Sequence, residues 1–160
     1  MNLKILLAGV TVACAGVAAA ATIYVSPTGN DETGDGSRGN PYASPAKGVS
    51  SASRDGDEVV LLKGTYLTDK RVAWNAKIKV RGETSDRRET VIDFGGTSVG
   101  DCAVAFTGGS IHDLTISNAT TTGLWLKNNA DAYASNVVVT CCSQSGSRAG
   151  GRAAGRRLAH

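Results

Sequence analysis

The chain has no G-x-S-x-G, no H-E-x-x-H, no phosphate-binding P-loop and no C-x-x-C. This removes the serine-elbow hydrolases, the zincins, the P-loop NTPases and the dithiol redox proteins from consideration. Aromatic residues make up only 5% of the sequence, and no basic face is interleaved with them. Single-stranded nucleic-acid platforms need that combination, so no nucleic-acid partner is expected. Positive charge is scarce where it would matter. The chain has 17 Lys+Arg against 14 Asp+Glu. Lys4 and the tail arginines Arg148, Arg152, Arg156 and Arg157 account for five of the basic residues, leaving 12 against 14, or −2, over residues 22–142. Beyond residue 21 there is no apolar run long enough to cross a membrane. A single histidine, His112, lies outside the tail.

What is present is a repeat. The segment DLTISN (113–118) is echoed by NVVVTC (136–141), 23 positions later. A second pair of apolar runs, 102–106 and 123–126, repeats at about 22 positions, so the intervening loops should differ by about one residue. These runs are too short, and too rich in Val, Ile and Thr, for a helical stripe. Alternation of period two fits them: Leu114, Ile116, Val137 and Val139 inward, Asp113, Thr115 and Ser117 outward. A repeat in the twenties predicts a β-solenoid, because one coil cannot bury its own apolar face and must stack on a neighbour. Asn118, Asn128, Asn129 and Asn136 suit the bends, since Asn tolerates left-handed backbone.

Residues 1–21 read as an export signal: Lys4, an uncharged apolar run over 5–17, then Ala18-Ala19-Ala20 as a small-residue cleavage site. The mature chain is then about 140 residues, one domain. Residues 22–57 comprise a β-rich run (TIYVS), a loop dense in Gly, Asn and Asp, and a short helix over 44–53. Ser44 is its expected N-cap, Pro45 its first turn, and Ala46, Val49 and Ala52 its weakly apolar face. Residues 58–142 carry the coils: EVVLLK (58–63), then 72–74, 76–81 and 90–94, in which Ile78 and Val80 face one way and Lys77, Lys79 and Arg81 the other. Residues 143–160 have the Gly/Ala/Arg-rich composition of a disordered tail. Because the tail begins where another coil should start, the chain is expected to be a truncated or frameshifted piece of a longer solenoid. The rival reading is a tail that binds anionic partners.

The sequence IYVSPTGND…DGS…NPYASPAKGV…DGDEVVLLKGTY, over residues 23–66, resembles the opening of secreted bacterial right-handed parallel β-helix proteins of the pectate-lyase-like superfamily. The resemblance implies an all-β, right-handed parallel β-helix whose helix plugs the first coil. Four or five coils of about 22 residues are expected. It also implies an acidic polysaccharide as partner, and chemistry in which a Lys or Arg removes the proton next to a uronate carboxylate, with calcium held by carboxylates on neighbouring coils. Lys77, Lys79 and Arg81 are the basic row available for this; a solvated strand face is the plainer reading. Asp93, Asp101 and Asp113 are single acids with no mutual geometry fixed by sequence. The polygalacturonase motifs N-T-D, D-D, H-G and R-I-K are absent, which counts against that hydrolase branch. The alternative is a non-catalytic surface solenoid of the adhesin type, binding glycans or protein partners.

Three further features carry chemistry or its imitation. Residues 30–35 (NDETGD) gather hard oxygen ligands, but an EF-hand spacing from Asp31 places Thr33 third and Tyr42 where the bidentate Glu belongs, so a solvated turn is expected. His112 would need an orienting partner and a reacting group nearby to act in catalysis, and beside Asp113 on an outward position it reads as surface decoration. Cys14 leaves with the signal. Cys102, Cys141 and Cys142 remain, and either a bridge from Cys102 to one of the other two or free thiols satisfies the sequence. Catalytic residues and metal ligands are therefore unassigned by sequence, and calcium enters only through the resemblance.

Overall fold

The computed structural model describes residues 19–127, 131–140, 142 and 144–149. Most of the expected signal, together with Asn128, Asn129, Cys141 and the end of the tail, lies outside them. Eleven strands and one helix follow in the order β1 (Thr22–Val25), α1 (Pro45–Ser51), β2 (Glu58–Leu61), β3 (Gly64–Leu67), β4 (Val72–Trp74), β5 (Lys79–Gly82), β6 (Thr90–Asp93), β7 (Cys102–Phe106), β8 (Gly109–Ser117), β9 (Thr122–Leu126), β10 (Ala132–Thr140) and β11 (Gln144–Ala149). Every pairing between these strands is parallel. Among the described residues the protein is thus mostly β, with parallel sheets and one short helix, and neither sheet closes into a barrel.

Three ladders run through the molecule. One is β1–β2–β5–β8–β10, a second is β3–β6–β8, and the third is β4–β7–β9–β11. Strand β8 belongs to the first two, since residues 110–112 pair with β5 and 115–117 with β6. Between these halves Asp113 takes φ 60°, and Asn136 takes φ 49° between the corresponding halves of β10. Asn136 and Asn118 (φ 56°) are the left-handed corners expected of asparagine. Alternation alone makes Asp113 an ordinary outward strand position. It instead forms a bend, and the Asn136 amide Nδ2 donates to its Oδ1 at 2.8 Å.

Residues that share an inward column share a dry interior. Ile23, Val59, Val80 and Ile111 are successive ladder partners, each 8% exposed or less. Tyr66, Ile92 and Ile116 form a second column, and Trp74 and Phe106 begin a third that continues to Leu126. The Trp74 and Phe106 rings stack with centroids 4.4 Å apart and planes 6° from parallel, while Trp74 Nε1 donates to the Gly108 carbonyl at 3.0 Å. Each buried Val, Leu, Ile or Phe contributes about 1.5–3 kcal/mol relative to exposure. Leu114 pairs with Val137, and Ile116 with Val139, at the expected offset of 23. The other repeat differs: Cys102 pairs with Thr122 and Val104 with Leu124, an offset of 20 rather than 22. The turn from β9 to β10 is three residues longer than that from β7 to β8, and this absorbs the difference.

Helix α1 packs on β1, β2 and β4 at the start of the stack. Ser44 caps it, its Oγ accepting from Lys47 N at 3.2 Å, and Pro45 occupies the first turn. Val49 and Ala52 are buried as expected. Gly48 weakens the helix on propensity, but its position demands it: a Cβ there would lie 2.4 Å from Val25 Cγ2. The strand β11, placed by composition inside a disordered tail, pairs with β9 instead. Backbone hydrogen bonding to an existing rung does not require strand-forming side chains.

The acidic loop before the helix has a structural task. Asp31 Oδ1 accepts from Ala43 N at 2.7 Å and Ser44 N at 2.9 Å, and Oδ2 accepts from Ser44 Oγ at 2.6 Å. Burial raises its carboxyl, but the bonds from Ser44 and Ala43, with Lys47 nearby, outweigh this and hold it below the usual value. Asp31→Ala should therefore lower stability by about 1 kcal/mol, as for a lost helix cap, read from urea midpoints at neutral pH. Because the folded value is depressed, the wild-type advantage is complete well above the ordinary aspartate value of about 3.9. It should vanish as the pH falls below that value towards the folded one.

Candidate functional site

The first ladder presents a polar outer face. Glu58 of β2, Lys79 of β5, Ser110 of β8 and Tyr133 of β10 are successive partners along it, and Arg81, His112 and Ser135 form the next column. Strand alternation turns these residues away from the interior that Val80 and Ile111 fill. Arg81 Nε donates to Glu58 Oε1 at 2.9 Å, and Lys79 Nζ lies 2.9 Å from the same oxygen. The Arg81 bond lowers the Glu58 carboxyl against its partial burial, and Lys79 adds to the effect. Lys77 pairs with Asp131 at 2.7 Å. The basic row thus exists as expected, but each of its members is tied to a carboxylate on another segment.

His112, expected as surface decoration beside Asp113, has polar neighbours on both ring nitrogens. Its Nε2 lies 3.1 Å from Ser110 Oγ, and its Nδ1 lies 3.7 Å from Asp113 Oδ2. Period-two spacing put Ser110 and His112 on one side of β8, so the S-x-H-D string carried this signal in advance. Asn136 donates to Asp113 Oδ1, and the Arg87 guanidinium in turn donates to Asn136 Oδ1 at 2.9 Å. Burial, then the Lys79 charge, holds the imidazole below its usual value against the opposing pull of Asp113.

Chemically this row is a hydrogen-bonded brace. Ser110 is only 3% exposed, lying between its long column neighbours Lys79 and Tyr133. A serine nucleophile needs an open approach to its oxygen and donors for the oxyanion. A fluorophosphonate should accordingly leave Ser110 unmodified, with no mass increase on the intact protein. A Ser110 adduct would mean that Lys79 or Tyr133 swings aside.

The remaining candidates are dispersed. Asp93 accepts from Asn118 Nδ2 at 2.9 and 3.0 Å and from Gly95 N at 2.8 Å, at the edge of an open cleft of about 560 Å³ that also touches Thr120 and Cys142. Asp113 is at the β8 bend, and Asp101 is exposed in the turn before β7. Among the described residues no group of three or more His, Cys, Asp or Glu could hold a metal ion. In the acidic loop Asn30 Oδ1 accepts from Glu32 N and Thr33 N, and Asp35 Oδ1 from Ser37 N, so these oxygens close turns. Cys102 is a buried free thiol, its pKa raised chiefly by burial, and it forms no bridge. Among the described residues no helix is long and apolar enough to cross a membrane.

Compared with known proteins, the chain matches no family model, no curated protein and no solved structure.

Proposed function

We propose that the chain is an exported right-handed parallel β-helix of the pectate-lyase-like kind, and that it holds acidic polysaccharide on the outer face of β2, β5, β8 and β10 without cleaving it. The parallel ladders and the opening over residues 23–66 support the fold reading. One observation carries the binding reading: Lys79 and Arg81 share the single carboxylate of Glu58, and a half-exposed Tyr133 lies in the same outer column as Glu58 and Lys79. That leaves a net positive charge on the β2–β5 pair and an aromatic surface two rungs further along. Proton abstraction beside a uronate carboxylate needs a Lys or Arg released to act as a base. Lys79 and Arg81 are held by Glu58, and Lys77 by Asp131, which favours retention over turnover.

The test is retention of the mature protein on immobilised polygalacturonate and on an uncharged glucan, with and without calcium. Retention on the acidic polymer, weakened about two- to fivefold by Lys79→Ala or Arg81→Ala, is expected, with no ultraviolet-absorbing unsaturated product. Passage through both matrices without delay would overturn the proposal, while accumulation of unsaturated product would favour a lyase.

A further inference from the structure

The junction between the expected export signal and the first strand contains a prepared charge site. Within the expected signal, residues 1–21, the tripeptide Ala18-Ala19-Ala20 fits a small-residue cleavage pattern; scission directly after it leaves Ala21, the last residue of that stretch, as the first residue of the mature chain. Ala21 N lies 2.9 Å from Asp57 Oδ1, and the Ala21 carbonyl accepts from Glu58 N at 2.8 Å. Asp57 is only 3% exposed. Its other oxygen accepts from Arg54 N at 3.0 Å, and its own carbonyl accepts from Lys79 N at 2.9 Å. Asp57 therefore joins the start of β1, the turn before β2 and the start of β5.

We infer that export processing breaks the Ala20–Ala21 peptide bond and that the new Ala21 α-ammonium docks on the buried Asp57 carboxylate. A signal peptidase adds water across the amide: Ala20 leaves with the new carboxylate, and Ala21 keeps the nitrogen and gains the protons. An amide N–H already in place becomes a charged donor at the same position. Charge-assisted bonds are roughly twice as strong as neutral ones, and a buried carboxylate gains most from an opposite charge. Removing the leader would then tighten the first rung, and the uncleaved precursor would be the looser form. The inference rests on the export part of the proposed function and is independent of glycan binding.

Intact mass and N-terminal sequencing of the exported protein should give Ala21 as the first residue; a start at Thr22 or beyond removes the docking group and overturns the inference. The second measurement compares unfolding of the mature chain with a free Ala21 amine, the same chain acetylated at that amine, and each with Asp57→Asn. Acetylation keeps the N–H and deletes the charge. It should raise the unfolding constant of the wild type about tenfold and leave that of Asp57→Asn unchanged. Equal effects in both backgrounds, or none in the wild type, would refute docking. If Asp57→Asn does not fold, the wild-type comparison alone decides, and absence of an acetylation effect refutes the ion pair. A chain found intracellular with its first 20 residues intact would instead remove the export premise.

Discussion

Leu114→Asp should abolish cooperative unfolding, leaving a chain with no transition by circular dichroism in urea. Leu114 is fully buried, paired with Val137, and follows the bend at Asp113. A carboxylate there would have no cation or donor of its own, and a buried unpaired charge costs several kcal/mol even after relaxation. Removal of the leucine side chain alone is worth about 2–5 kcal/mol. Together these approach the entire stability of a small domain, about 5–15 kcal/mol. The control is Val138→Asp, one residue past Val137 on β10 and half-buried. It lies on the other side of the strand and should change stability by about 1 kcal/mol. If the two variants unfold alike, Leu114 and Val137 are not interior partners, and the stacked reading fails with them.

Gly109→Ala should be the most damaging substitution by a single methyl group. Gly109 has φ +79°, and a Cβ there would lie 1.9 Å from the Ile78 carbonyl oxygen and 2.7 Å from its nitrogen. Ile78 is 1% exposed, and its carbonyl accepts from Ser110 N at 2.9 Å. Neither backbone atom can rotate away as a side chain can, so the rungs β5 and β8 must separate. The left-handed backbone adds about 1–2 kcal/mol and the overpacking about 1–3 kcal/mol. Gly96→Ala isolates the first contribution, since Gly96 has φ +76° and nothing within 4 Å of its Cβ position. The difference between the two denaturation midpoints then measures the clash alone.

Much of this architecture was written locally. Alternation placed Ile78, Val80, Leu114 and Ile116 inside, Ser44 and Pro45 started the helix, and Asn118 and Asn136 marked corners. Each of those rules acts over a few residues. What escaped depends on partners far along the chain. The ladder offset is 20 from Val104 to Leu124, 32 from Val72 to Val104 and 36 from Thr22 to Glu58. No period in the sequence reveals rungs spaced so unevenly. The capture of Asp31 by Ser44 and of Glu58 by Arg81 follows from such register, as does the squeeze on Gly48 by Val25. Ser110 beside His112 was within local reach, since two residues on one strand face must be neighbours. Asp113 was the harder residue, because an aspartate inside an alternating run gives no sign that the run bends there.

The uneven spacing has an engineering corollary. Rung geometry is conserved while connections lengthen, so excess chain is expelled sideways and leaves the ladder steps undisturbed. The turn from β6 to β7 already does this, and Gly96 and Gly100 within it have open space around them. A foreign peptide grafted at that turn would be displayed on a rigid scaffold at a fixed height along the stacking axis.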